Sequence, residues 1–349
     1  LAIYKVRPDI HAVLHAHPPA LVSFSAAGSV PRIDLLPNVE AICGEIDFVP
    51  YALPGSEALG EKIADSFKQG FNSVLLENHG TVIGAEDLFT AYQRFEMLDY
   101  TARIQIKSTI LGLPKAITSA DHDIYQQKSN DLAEFTPEPA NSKEKELRQE
   151  MCDYIHRSYR QKLFTSTEGT FAVRLSQDEY LITPFGFDRK YIAPDDIVLI
   201  KQGKKEAGKT PSRSVTLHQA IFDKQPDINA IVIAHPPNLM AFNVTDKTLD
   251  SKIIPEANIL LRDIQNLPFS APILDHKKVS ETLSNVQPIS MFQNNGLIVT
   301  GDTLVTAFDR LEVAEYTAKA VLGAFQIGNV NSMDKVVIDE LKGAFNLEG

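Results

Sequence analysis

Two histidines, His15 and His17, stand two residues apart in the run AVLHAHPP. In an extended strand that spacing puts both side chains on one face, about 6–7 Å apart along the backbone. Two imidazoles so placed can converge on a single metal ion, with a third ligand coming from elsewhere in the chain. His79 offers one, in ENHG, beside a glycine that lets the backbone approach closely. Three histidines and an open fourth position form the pattern of a catalytic metal site, not a closed structural one. Neutral imidazole suits zinc, with manganese, cobalt and iron also open. An H-x-H pair alone is a weak signal, since a histidine on a half-buried strand is more often structural.

The elements that must position these residues are legible as patterns. Residues 11–17 alternate, with Ala12, Leu14 and Ala16 on one face and His11, Val13, His15 and His17 on the other. This predicts a strand ending at Pro18-Pro19. SVLL (73–76) and TVIGA (81–85) predict two strands joined by a tight turn that uses Gly80. From Glu86 to Ile110 the spacing of Leu88, Ala91, Tyr92, Phe95, Leu98 and Ala102 predicts a helix, ended by Gly112 and Pro114. Further on, 170–175, 179–184 and 196–202 read as strands ahead of a helix carrying His218. Alternating strands and helices imply a layered α/β architecture.

The chain also repeats itself. Residues 8–19 (PDIHAVLHAHPP) match 226–237 (PDINAIVIAHPP) at eight of twelve positions, at an offset of 218. Residues 80–103 match 296–319 at nine of 24, at an offset of 216. Two matches in one order at nearly one offset indicate a duplicated domain. The expected division is a first domain at 1–113, a linker at 114–143, a second domain at 144–328 and a C-terminal tail at 329–349. The linker, rich in polar residues and prolines, reads as a surface connection with at most a short helix. Because Leu1 lies only seven residues before Pro8, the first copy is expected to lack its N-terminal part.

Size and composition agree with two globular domains: 349 residues, 38.6 kDa, 44% apolar and 23% charged. A net charge of −11 and a pI near 5.3 set the surface against phosphate backbones and anionic membranes. No run approaches ~18 consecutive apolar residues, so no transmembrane helix is expected. Two cysteines, Cys43 and Cys152, are too few for a disulfide framework and fit a reducing, cytoplasmic compartment. No G-x-G-x-x-G or G-x-S-x-G motif follows a strand.

HAHPP (15–19), VPYALPGSEALGE (49–61) and SVLLENHGTVIGAEDLFTAYQRFEMLDYTAR (73–103) together resemble the class II aldolase/adducin family. The resemblance covers 1–113 and, more weakly, 144–328. It implies two tandem domains, each a three-layer α/β/α sandwich around a mixed, largely antiparallel sheet. It implies that His15, His17 and His79 bind a divalent metal, usually zinc, and that the chain assembles as a homo-oligomer. Catalytic members include fuculose- and rhamnulose-phosphate aldolases, ribulose-phosphate 4-epimerases and methylthioribulose-phosphate dehydratases; adducin members are non-catalytic interaction modules. The expected activity is a metal-dependent carbon–carbon lyase acting on a small sugar or sugar phosphate. Its bond cleavage would leave an enediolate that a divalent ion stabilises. A non-catalytic scaffold, or an epimerase or dehydratase of the same family, is the alternative. The interval of 62 residues from His17 to His79 resembles the aldolase branch more than the epimerase branch.

The second copy departs from that pattern. His15 corresponds to Ile233 and His79 to Asn295, leaving His235 alone. Where the family has a P-S-S-E-like segment, the chain reads Pro211-Ser212-Arg213-Ser214. The phosphate-binding glycine-asparagine step becomes Gly169-Thr170, and T-P-S-G becomes TPFG at 183–186. The second copy is therefore expected to be a structural or regulatory pseudo-domain, whose Arg213 or Thr170 could face a neighbouring site. In the first copy the offset puts the family's acid before Leu1, so no catalytic acid/base is assigned. Tyr51 reads as a packed aromatic beside a turn, and Glu45 and Glu77 as solvated or ion-paired carboxylates.

Overall fold

The computed structural model describes residues 1–347 and divides into two compact units, Leu1–Thr109 with Leu113–Thr118, and Ile110–Gly112 with Ser119 onward. In the first unit, helix α1 (Ala2–Val6) precedes strand β1 (Ala12–Ala16). Helices α2 (Pro19–Ala26) and α3 (Val39–Cys43) follow, then β2 (Ile46–Val49) and α4 (Glu57–Lys68). Strands β3 (Ser73–Leu76) and β4 (Thr81–Ala85) lead into the long helix α5 (Leu88–Ser108). The strands order as β1-β4-β3-β2, with only β2–β3 parallel.

Alternation along the strands supplies both faces of this sheet. Val74, Leu76 and Val82 pack with Leu59 and Phe67 of α4 and Ile3 of α1, while α5 packs on β1 and β4 at the other face. Two helix starts are set by side-chain caps. Ser56 accepts the Leu59 N–H and Asp87 the Thr90 N–H, each filling a donor the first turn leaves open.

The second unit holds α6 (Ser119–Tyr125), β5 (Glu134–Phe135), α7 (Ser142–Arg160), β6 (Thr170–Arg174) and β7 (Glu179–Ile182). Next come β8 (Val198–Lys201), β9 (Lys204–Glu206), α8 (Val215–Lys224), β10 (Ala230–Ala234), α9 (Pro237–Asn243) and α10 (Pro255–Leu261). It closes with β11 (Gln265–Leu267), α11 (Ala271–Leu274), α12 (His276–Thr282), β12 (Ile289–Phe292), β13 (Gly296–Gly301), α13 (Leu304–Ile327) and α14 (Lys335–Ala344). Nine strands form one mixed, largely antiparallel sheet in the order β11-β12-β13-β10-β6-β7-β8-β9-β5.

Strict alternation splits its core into two layers. Phe171, Val173, Val232 and Val299 face α7 and α13. Ala172, Ile231, Ile233 and Ile298 face α8 and α12. That is the expected three-layer arrangement, built because the central strands β6, β10 and β13 are apolar on both faces. An ion-pair network ties α7 to the sheet: buried Arg148 holds Glu144 at 2.7 Å and Glu206 at 3.1 Å.

The core pairing is the same in both units. Ala12 faces Ala85 and His15 faces Val82 across β1–β4. Ala230 faces Gly301 and Ile233 faces Ile298 across β10–β13, at the offsets found in the sequence. The segment 114–143 is more structured than a connection. It contains α6, and β5 adds a strand to the edge of the second sheet through β9, with Tyr125 buried. Past residue 328, α14 packs on the second unit and buries Ile338; residues 348–349 of the expected tail lie outside the described residues. No described helix is long and apolar enough to cross a membrane.

Candidate metal centre

The three histidines singled out in the sequence meet in space. His15 projects from β1, His17 lies just past its end, and His79 sits on the β3–β4 turn. Each offers one ring nitrogen such that the three lie within 4.8 Å of one another. The ring centroids are 4.6, 4.9 and 5.0 Å apart. His15 and His17 are exposed and His79 is half-buried, so the cluster opens to solvent on one side.

Local structure fixes each ring. The Nδ1 of His15 lies 2.9 Å from the Thr81 carbonyl across the β1–β4 ladder. A carbonyl can only accept, so Nδ1 carries the proton and Nε2 keeps its lone pair for the cluster. A ligating histidine is oriented by the same kind of outer partner. His79 is held through its backbone. Its N–H donates to the hydroxyl of Ser25 at 3.0 Å, and that buried hydroxyl in turn donates to the Leu76 carbonyl. Burial lowers the His79 pKa, and the neighbouring His15 and His17 lower it further. The ring is thereby biased to the neutral form, which can coordinate a cation.

The turn differs from its sequence reading in one respect. Its left-handed residue is Asn78, at φ 52°, not Gly80. Gly80 serves instead as a gap: a Cβ there would meet the Ala16 carbonyl oxygen at 2.5 Å and Cδ2 of His17 at 2.6 Å. Glu77 is engaged structurally, its Oε2 accepting the Tyr51 N–H at 2.7 Å. Lys62 holds the same loop by donating to the Tyr51 carbonyl at 3.0 Å. The Tyr51 side chain itself is 54% exposed rather than packed. Glu45 is exposed, at the start of β2. Ser25 and Thr81 were not singled out in the sequence, because their roles depend on pairing across distant segments.

The second unit repeats the backbone without the donors. At the matching positions stand Ile233 and Asn295, and the Asn295 amide donates to the Phe269 carbonyl at 3.0 Å. His235 remains, with Gly296 against its ring as Gly80 is against His17. Arg213 and Thr170 both line a pocket of their own unit beside His235.

Helices packed on mixed sheets, with three imidazoles converging from the end of β1 and the β3–β4 turn, define an α/β fold that carries a candidate metal-ligand cluster in its first unit. The chain belongs to the class II aldolase and adducin N-terminal domain family, whose model matches residues 1–106 and 149–322. It is 29% identical over 179 residues to a 3-oxo-tetronate 4-phosphate decarboxylase of Haemophilus influenzae, covering 49% of this chain and 84% of that one. It is 26% identical over 171 residues to an L-fuculose phosphate aldolase of Methanococcus vannielii, covering 49% and 92%. Among solved structures, YgbL of Escherichia coli shares the fold with a TM-score of 0.52 at 23% identity, over 57% of this chain and 99% of that one. An L-fuculose 1-phosphate aldolase does so with a TM-score of 0.50 at 22% identity, over 59% and 98%.

Proposed function

We propose that this chain is a divalent-metal-dependent lyase of the aldolase type, acting on a small sugar phosphate at the first unit. His15, His17 and His79 are its metal ligands, and zinc is the favoured ion. The observation that carries this reading is the convergence of three ring nitrogens within 4.8 Å, one of them oriented by the Thr81 carbonyl. The donor set fits the group. Three neutral nitrogen donors with one open side match a catalytic zinc site, and a lone exposed histidine would not need an outer carbonyl partner.

A bound divalent ion supplies positive charge where a carbonyl and its neighbouring hydroxyl gain negative charge during carbon–carbon cleavage, worth several kcal/mol. The chain's own residues prepare that site. Thr81 sets the tautomer of His15, Ser25 anchors the backbone of His79, and Gly80 admits His17. Glu77 and Lys62 fix the loop at Tyr51 beside the turn. The choice of a phosphorylated substrate is supported by the two relatives, both named for phosphorylated compounds. Two buried free cysteines and the acidic surface are consistent with a cytoplasmic protein, which we take to be a homo-oligomer.

The test is metal content by elemental analysis on chelator-free, untagged protein, beside a His79→Asn variant that copies the second unit. About one metal per chain is expected, lost in the variant, together with cleavage of one or more sugar phosphates. Absence of metal, with no uptake of added zinc or manganese, overturns the lyase reading in favour of a non-catalytic interaction module.

A further inference from the structure

The second unit has a cavity between the end of α10, the loop ahead of β12 and one face of α14. About 240 Å³ of it is open to the centres of water molecules. A single water needs ~10–15 Å³ on this measure, so the cavity admits a small organic molecule. Lys252, Arg262 and Lys342 line it against one carboxylate, Asp263. That is a cationic cavity in a chain of net charge −11. The first unit has a cavity of corresponding residues with the opposite charge, lined by Asp34, Glu40 and Glu45 beside Arg32. The offset of 218 pairs Asp34 with Lys252, Glu40 with Asn258 and Glu45 with Asp263. The same wall is acidic in one unit and basic in the other.

Arg262 departs furthest from the repeat. It ends α10 at φ 57°, ψ −144°, a left-handed conformation that a residue with a Cβ adopts only under strain. The offset pairs it with Gly44, which ends α3 at φ 63° with no Cβ to strain. The second unit therefore puts a guanidinium into a turn that the first unit makes with glycine. Carbonyls at a helix C-terminus attract cations. Yet Arg262 donates no hydrogen bond and joins no ion pair among the described residues. Burial lowers its pKa from the ordinary value. Asp263 is engaged elsewhere: Lys252 lies 3.7 Å from it, and the Gln287 amide donates to its carbonyl. Burial also lowers the pKa of Arg310, Asp302 opposing and the Arg262 charge lowering it further.

A second group points to a ligand. Asn258 stands four residues before Arg262, on the same side of α10. It is only 6% exposed and lines the cavity, and its side-chain amide has no hydrogen-bond partner among the described residues. A buried amide left unpaired costs free energy that an incoming acceptor recovers. A guanidinium fork and an amide N–H, both donors, match the two oxygens of a carboxylate. Val286 and Ile338 offer apolar surface to a short carbon chain. Lys342 lies in the last turn of α14, so two helix C-termini border the cavity. Their partial negative charge disfavours a dianionic phosphate more than a singly charged carboxylate.

We propose that this cavity binds the carboxylate of a small organic acid, gripped by Arg262 and the Asn258 amide, with the carbon chain against Val286 and Ile338. Lys252 and Lys342, both exposed, stand at the mouth and attract the anion. The site contains none of the three clustered histidines and stands whether or not the first unit is catalytic.

The experiment titrates the full chain with butyrate at low salt, read by saturation-transfer NMR and calorimetry. It is run on the unmodified chain and on Arg262→Gly, Asn258→Asp and His79→Asn. Saturable binding at one site per chain is expected, with a millimolar or lower dissociation constant, kept in His79→Asn. Arg262→Gly and Asn258→Asp are each expected to weaken it about tenfold or more. Arg262→Gly restores the residue the first unit has at this turn, so its melting temperature should hold or rise, and its lost binding is not unfolding. Asn258→Asp supplies a carboxylate in place of the ligand's. No saturable binding up to about 50 mM overturns the proposal. So does binding unchanged in Arg262→Gly, or binding lost in His79→Asn, which would put the acid at the first unit's histidines. Inorganic phosphate displacing butyrate at a tenfold lower concentration would overturn the carboxylate assignment.

Discussion

A single methyl group at residue 80 would decide where His17 can sit. The Cβ of an alanine there would lie 2.5 Å from the Ala16 carbonyl oxygen, a backbone atom that cannot swing aside, and 2.6 Å from the His17 ring. Gly80→Ala is therefore expected to displace His17 from the cluster. On the proposed reading it weakens metal affinity at least tenfold, in the range seen when a ligand's outer support is lost. Zinc competition with a chromophoric chelator measures this, and circular dichroism checks that the fold survives. An unchanged affinity would mean that His17 is not a ligand. At this scale the sequence was informative about which residues could ligate and uninformative about what holds them. H-x-H and NHG are short local patterns. The Ser25 hydroxyl that anchors His79 lies 54 residues away, and the Thr81 carbonyl that orients His15 lies 66 away.

Strands were legible because alternation is a local signal. SVLL and TVIGA form β3 and β4 at the expected residues, and the predicted helix from 86 to 110 runs from Leu88 to Ser108. Beyond the β3–β4 hairpin, pairing partners were not legible, since a strand's pattern does not name its neighbour; neither was the short strand β5, too brief to show any period. Helix α8 carries a consequence of such packing. His218 is fully buried, and neither ring nitrogen has a hydrogen-bond partner. Burial pushes its pKa down to about 3. Unfolded, it titrates near its ordinary value of about 6.5, so between these values the unfolded chain binds more protons. Its contribution to stability is thus present above pH 6.5 and is lost as pH falls toward about 3. His218→Leu is expected to flatten the fall in stability between pH 7 and pH 5, without loss at neutral pH, where it removes unpaired polar atoms from the core. Urea unfolding at the two pH values measures it; an equally steep fall in the variant would show that His218 is not buried neutral.

Two copies of one strand pairing, one with three imidazoles and one with a single imidazole, pose a question of the molecule as a whole. Either the second unit lacks only the ligands, or its surroundings have become unsuited to a cation. The sequence made the first loss visible, through Ile233 and Asn295. It could not show the second, because Lys128 lies in a polar segment with no counterpart in the repeat and no period to place it. The structure puts that ammonium and Arg213 in the pocket that restored ligands would occupy. The register across β10 and β13 equals that across β1 and β4, so Ile233→His with Asn295→His should return three imidazoles to the end of β10 and the β12–β13 turn. The two cations lining the same pocket would still oppose a divalent ion, since a unit-charge pair at 4 Å near a protein surface repels by about 4 kcal/mol. The double variant is therefore expected to keep the unmodified chain's metal content, about one ion per chain on the proposed reading. Adding Lys128→Met and Arg213→Ser should raise it toward about two. Elemental analysis of the two variants decides. A second equivalent already present in the double variant would mean that the pocket's charge does not exclude cations, and that ligand loss alone separates the two units.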